Sequence, residues 1–176
     1  MESPLGGNYQ KKNILTVCAA CEILTSWLGE ISKETIRKGI QQVVNNTGFA
    51  GRWQVLSLAP LTICDTCHNE AGLKEVLDQI RTLPLEKLHF VFGLVNDKEI
   101  GNILKMLPKT AVYYFCKADI PRGFNASELL LKAREYGLAG EAFVSVKEAL
   151  KAAQADVGVH DLVFIGGSTF IVAEVV

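Results

Sequence analysis

The sequence predicts an α/β chain: a helical pair followed by a doubly wound, mostly parallel sheet with one antiparallel edge strand. Two observations carry this. Up to residue 49 the apolar residues recur at helical spacing, and from Arg52 onward short apolar runs alternate with helical stretches, the pattern of repeated βα units. The chain has 176 residues, 49% of them hydrophobic. That is enough for one substantial core, or for one domain and part of another.

Ile14, Val17, Cys18, Cys21, Leu24 and Leu28 mark one amphipathic helix, with Gly29 as its stop. A second begins at Ser32, where Ser32 and Thr35 are candidate caps, and Ile36, Ile40, Val43 and Val44 form its apolar face before Asn45-Asn46-Thr47-Gly48 breaks it. Trp53 to Leu58 and Leu61 to Cys64 read as two strands separated by Pro60, a hairpin that supplies the antiparallel edge. Leu73, Val76, Leu77 and Ile80 lie on a third helix. The alternation continues through strand Leu88 to Leu94, helix Lys98 to Leu107, strand Ala111 to Cys116, helices Ser127 to Tyr136 and Val146 to Ala153, and strand Leu162 to Ile165. Such a sheet is Rossmann-like. Its ligands bind beyond the carboxyl ends of the strands, where strand tips hand over to helix N-termini.

Charge names no partner. Eighteen Lys and Arg against 19 Asp and Glu give a formal charge of -1 with no basic block, which disfavours a nucleic-acid or anionic-membrane surface. The five cysteines, Cys18, Cys21, Cys64, Cys67 and Cys116, are odd in number and mostly sit among apolar residues, as reduced thiols do. No apolar run reaches the roughly 18 residues that span a bilayer, and Met-Glu-Ser-Pro-Leu-Gly-Gly lacks the basic and apolar parts of a signal peptide. The expected compartment is the cytoplasm.

The segment Cys64-Asp65-Thr66-Cys67-His68-Asn69 supports more than one chemistry. As Cys-x-x-Cys-His it matches haem attachment, but that chemistry belongs to exporting systems, and Met106 is the only methionine besides Met1 to act as an axial partner. Haem is therefore not expected. A metal or thiol site lacks partners, because His89 and His160 begin other strands and Cys64, at a strand end, is expected to point into the packing. As Asp-x-x-His-Asn at a strand tip, the segment suits nucleotide binding: Asp65 can accept from ribose hydroxyls and Asn69 can cap the next helix, whose N-terminus tolerates anions. The same two residues also read as a closed turn and a helix cap alone. Gly51-Arg52 stands at the junction of the two sections, where a guanidinium can reach a phosphate or serve as an ordinary surface cation.

Taken in order, Gly7-Asn8-Tyr9-Gln10 with Asn13, Gly51-Arg52-Trp53, Asp65-Thr66-Cys67-His68-Asn69, Gly93 with Asp97-Lys98-Glu99, Pro121-Arg122 and Gly167-Ser168 resemble the C-terminal part of the folylpolyglutamate synthase and dihydrofolate synthase family, within the Mur ligase superfamily. The family's usual turn is Asp-Gly-Ala-His-Asn-Pro. Here Thr66, Cys67 and Glu70 replace the Gly, Ala and Pro, while Asp, His and Asn are retained.

The resemblance implies an ATP-dependent ligase that joins L-glutamate to dihydropteroate or a folate through an acyl phosphate, with Mg2+. It implies that Asn13 and Asp65 contact the adenosine portion, that Arg52 approaches the phosphates, and that His68 and Asn69 lie beside the nucleotide. Lys98 and Ser168 match motifs facing the glutamate or folate end. No Gly-x-x-x-x-Gly-Lys-[Ser/Thr] loop occurs in the sequence. Residues 1–49 are therefore expected to be the helical tail of an N-terminal ATPase domain, residues 50–176 the Mur ligase-like C-terminal domain, and the Mg2+ ligands are expected to lie outside this chain. A stand-alone nucleotide-binding module and a cell-wall Mur ligase are the alternatives.

Overall fold

The structure is a computed structural model that describes residues 2–29, 31–95 and 100–176. The tail comprises helices α1 (Gln10–Leu28), α2 (Lys33–Gln41) and α3 (Val43–Thr47). The second predicted helix breaks at Gln42, whose backbone leaves helical geometry, and Gly48 closes α3 in the left-handed region. Helix α1 begins at Gln10, a turn earlier than its apolar spacing predicts. Its expected amphipathic face is not buried: Leu28 is exposed, and Leu15, Ile23 and Trp27 are exposed on other sides. A helix apolar on several faces needs more cover than one short neighbour provides.

The second section is a six-stranded sheet of β1 (Gln54–Leu58), β2 (Leu61–Cys64), β3 (Leu88–Phe92), β4 (Val112–Phe115), β5 (Ala139–Ala142) and β6 (Leu162–Gly166). The strand order is β1-β2-β6-β3-β4-β5. β1 pairs antiparallel with β2, and the other pairs are parallel. The edge hairpin is thus as expected. β5 was not legible, because Ala-Gly-Glu-Ala has neither apolar alternation nor β-branched residues; pairing with β4 makes it a strand.

Helices α4 (Glu70–Ile80), α5 (Ile100–Met106) and α6 (Ala126–Glu135) cover one face, and α7 (Val146–Asp156) and α8 (Thr169–Ala173) the other. Strand side chains alternate between these layers. Ile63, Phe90, Phe92, Tyr113, Phe115 and Phe164 pack under α4 to α6, whereas Cys64, Val91, Tyr114, Val163 and Ile165 pack under α7 and α8. The first group forms an aromatic layer, with Phe90 5.1 Å from Phe92 and 5.2 Å from Phe164 between ring centroids. This layer is the floor on which the β2–α4 turn is built.

Candidate functional site

Five of the residues named from sequence meet at one cavity. The β2–α4 turn, the first turn of α1 and the Gly51-Arg52-Trp53 turn enclose about 380 Å³, lined by Asn13, Arg52, Asp65, His68 and Asn69 together with Tyr9, Lys12 and Thr66. It lies where an α/β sheet is expected to bind ligands, beyond a strand's carboxyl end.

Asp65 is the hub of this arrangement. Only 2% exposed, it accepts from the Tyr9 hydroxyl at 2.5 Å and the Trp53 N–H at 2.8 Å through Oδ2, and from the Cys67 N–H at 2.9 Å through Oδ1. A carboxylate has about four acceptor positions, so most of its capacity is used within the chain. Burial pushes its pKa up, partly offset by the Tyr9 hydroxyl, the Trp53 N–H and the Arg52 charge. Burial, and the neighbouring Asp65, likewise push the Tyr9 phenol well above its ordinary range.

The neighbouring turn is shaped by what Asp65 holds. Gly51 has φ of 78°, and a Cβ there would stand 2.9 Å from both Thr66 and Val172 side chains, so only glycine fits. Trp53 has φ of 43°, a left-handed conformation that costs a bulky residue about 1–3 kcal/mol. Its N–H on Asp65 and its ring, packed 5.9 Å from Phe164, hold it there. Arg52 between them donates from Nη1 to the Thr66 hydroxyl and lies 5.7 Å from the Phe49 ring centroid. The cation is thereby fixed along one wall of the cavity.

His68 is exposed, with Nδ1 3.1 Å from the Thr66 carbonyl oxygen. A carbonyl only accepts, so Nδ1–H donates and Nε2 is left as the ring's acceptor. Asn69 caps α4, its Oδ1 accepting from Gly72 N–H at 2.8 Å. Asn13 donates to Gln10 Oε1 at 2.8 Å, which leaves its own oxygen to accept.

Two sequence-named residues stand apart from this group. Ser168 is buried beyond β6, outside the lining of this cavity, and its Oγ caps α8 by accepting from Phe170 N–H at 3.2 Å. Lys98 lies outside the described residues. Cys64 points into the core, as expected, and Cys67 packs on the opposite face of the sheet. The two thiols therefore share no face for a haem, and burial pushes each pKa up to about 12, the reverse of an activated nucleophile. Among the described residues no three His, Cys, Asp or Glu side chains are grouped to hold a metal ion.

Tyr9, Lys12 and Thr66 were not identified as site residues from sequence. Tyr9 stood inside a quoted motif, but nothing in a linear pattern pairs a phenol with a carboxylate 56 positions away.

Relatives place this architecture. Residues 51–169 match the family model described as Mur ligase, glutamate ligase domain. Over 174 residues the chain is 32% identical to the probable bifunctional folylpolyglutamate synthase/dihydropteroate synthase of Haloferax volcanii, covering 97% of this chain and 20% of that protein. It is also 32% identical over 148 residues to the dihydrofolate synthase/folylpolyglutamate synthase of Escherichia coli K12, covering 83% of this chain and 33% of that one. Among solved structures, E. coli FolC in complex with DHPP and ADP superposes with a TM-score of 0.80 at 31% identity, over 99% of this chain and 39% of that one. A bifunctional folylpolyglutamate synthase/dihydrofolate synthase with Mn, AMPPNP and L-glutamate bound gives 0.72 at 29% identity, over 89% and 37%. The chain thus spans between a fifth and two fifths of the length of these relatives. With residues 51–169 matching that family model, the chain belongs to the Mur ligase glutamate-ligase domain family.

Proposed function

We propose that this chain is the C-terminal part of an ATP-dependent ligase that forms an amide between L-glutamate and dihydropteroate or a folate-type acceptor. The observation that carries the reading is the single cavity into which Asn13, Arg52, Asp65, His68 and Asn69 converge, beside the N-terminus of α4. The relatives' bound ADP and AMPPNP support a nucleotide as its occupant. In the proposed reaction, ATP phosphorylates the acceptor carboxylate, and the glutamate amine displaces phosphate from the acyl phosphate.

This chain's share is positioning and charge. Arg52, fixed against Thr66 and Phe49, presents its guanidinium to the phosphates and offsets charge developing on the transferred group. Asn13 and Asp65 hold the adenosine portion. Asp65 has one acceptor position to spare, so its larger task is to fix the turn that carries Arg52. The His68 Nε2 lone pair faces a donor on the nucleotide or its water. Lys98 and Ser168 are assigned to the glutamate or folate end, where the Ser168 hydroxyl proton remains available to donate.

Magnesium does not fit these residues. Asp65 already accepts from three donors and Glu75 is paired with Lys12 at 2.8 Å, so no step is assigned to a metal held here. Its ligands belong to the rest of the enzyme, as does the phosphate-cradling loop, with residues 1–49 as the tail of that ATPase domain. Five free cysteines agree with a reducing cytoplasm.

A second reading has specific support: the chain is 29% identical over 176 residues to a UDP-N-acetylmuramoyl-L-alanyl-D-glutamate--2,6-diaminopimelate ligase of Prochlorococcus marinus. One experiment separates the two. The full-length parent, given ATP, glutamate and dihydropteroate or a reduced folate as competing acceptors, is expected to glutamylate at least one of them. Turnover of neither, with turnover of a muramyl peptide, refutes the folate reading. The 176-residue chain alone is expected to be inactive, and measurable turnover by it contradicts the proposed division of labour.

A further inference from the structure

The contacts around Asp65 raise a question that ligand binding does not answer: why a carboxylate lining a nucleotide cavity is bonded to a tyrosine from another segment. The phenol of Tyr9 reaches Asp65 Oδ2 at 2.5 Å, and the same oxygen receives the Trp53 N–H at 2.8 Å. Trp53 is held at positive φ, directly after Arg52. The segment bearing Tyr9 also presses on this turn and on α4. A Cβ on Gly6 would stand 2.5 Å from the Trp53 carbonyl oxygen, and Asn8 N–H donates to Gln79 Oε1 at 2.7 Å. Tyr9 itself packs against the aromatic core layer. One oxygen atom therefore joins the start of α1, the strained Arg52 turn and the β2–α4 turn.

We propose that Tyr9 is a positioning residue of the nucleotide cavity: through Asp65 it holds the Gly51-Arg52-Trp53 turn and so aims Arg52, making the cavity's geometry conditional on the docking of α1. This rests on the reading of the cavity as a nucleotide site. A charged carboxylate on two or more short N–H and O–H bonds is held more rigidly than one on two backbone donors alone. Removing the phenol hydroxyl leaves Oδ2 with a single donor in a buried place, so the carboxyl takes up a proton at higher pH. The titratable groups facing it are Tyr9 from the loop before α1, Arg52 from the turn, Cys64 from β2 and Cys67 after β2. Of these only Tyr9 donates a side-chain proton to it.

The test is nitrogen-15 NMR of the whole chain as wild type, Tyr9→Phe and, as a control within α1, Leu15→Ser, between pH 5 and 8, followed by ADP titration. The expected result is that Tyr9→Phe moves the Trp53 backbone amide and the Arg52 Nε–H resonances and makes both pH-dependent, while Leu15→Ser leaves them in place. A 3-fluorotyrosine at position 9, a stronger donor of the same shape, is expected to move them in the opposite sense and covers the case in which Tyr9→Phe does not fold. ADP affinity is expected to fall about tenfold in Tyr9→Phe, the equivalent of 1.4 kcal/mol. Unmoved Trp53 and Arg52 resonances in both position-9 variants overturn the proposal, even if thermal stability falls. A full-length parent that binds no ADP refutes the nucleotide reading, while the spectra of this chain still decide the role of Tyr9.

Discussion

Two polar clusters sit at opposite ends of the sheet, and they differ in what they leave unspent. At the amino end, His89 on β3 is 1% exposed and engaged on both sides: Nε2 lies 3.1 Å from Asp161, and Nδ1 lies 2.9 Å from the Tyr114 hydroxyl, which donates to Asp156 at 2.9 Å. This cluster ties β3, β4, the end of α7 and the approach to β6 together, with no strained backbone beside it. At the carboxyl end Asp65 is bonded as fully, but the side chains around it keep a cation and two acceptors turned toward a cavity, and Trp53 beside it is strained. A buried hydrogen-bonded carboxylate is thus no signature of a site by itself. Strain, a cavity and uncommitted polar groups around a committed one are what distinguish the two ends.

The largest expected effect separates the ends by function. In the full-length parent, Arg52→Ala is expected to lower kcat/KM about 10²- to 10³-fold, the usual loss for one preorganised charge-stabilising donor, with adenosine binding affected far less. Tyr114→Phe is expected to do the reverse, costing about 1–2 kcal/mol of stability through the hydrogen bonds it breaks and leaving turnover at wild type. Equal effects of the two substitutions on activity and stability would erase the distinction.

Acid and base are expected to act on the two ends with opposite sign. Burial lifts the folded pKa of Asp65 above its unfolded value, so its contribution to stability declines as pH rises through that raised range. The Gly158 N–H, and then His89, hold Asp161 below its ordinary 3.8, so its contribution is complete above that value and is lost as pH falls below it. Urea midpoints measured from pH 3 to 8 are expected to lose the first slope in Asp65→Asn and the second in Asp161→Asn. Identical pH profiles for the two variants would contradict this.

The smallest effect is expected in the tail. Leu15, Ile23 and Trp27 on α1 are 71%, 66% and 82% exposed. Their replacement by serine is expected to change the chain's unfolding free energy by no more than about 0.5 kcal/mol each, read by thermal melts. A large loss would mean that α1 is packed more tightly than its exposure allows.

Particular residues show why some of this was legible in the sequence. The buried strands announced themselves, because Leu88–Phe92 is apolar apart from His89 and Leu162–Gly166 is an unbroken apolar run. β5 was invisible because its identity comes from β4, a neighbour distant in sequence. Asp65, His68 and Asn69 were found because a strand tip before a helix is a position with a known use. Arg52 was found as a cation at a section boundary. Their convergence was legible only as order along the chain, and the bond from Tyr9 to Asp65 not at all, since a contact between distant segments leaves no periodic trace. The same spacing that correctly marked α1 as a helix said nothing about whether its apolar residues would be covered.

The most direct test of the central claim is chemical-shift mapping of the nitrogen-15-labelled chain with millimolar ADP. The cavity account predicts that the perturbed resonances cluster at Asn13, at Arg52 and at Asp65 to Asn69, and that Tyr114 and His89 at the other end of the sheet stay still. Perturbations centred elsewhere, or none in this cluster at saturating nucleotide, would contradict it.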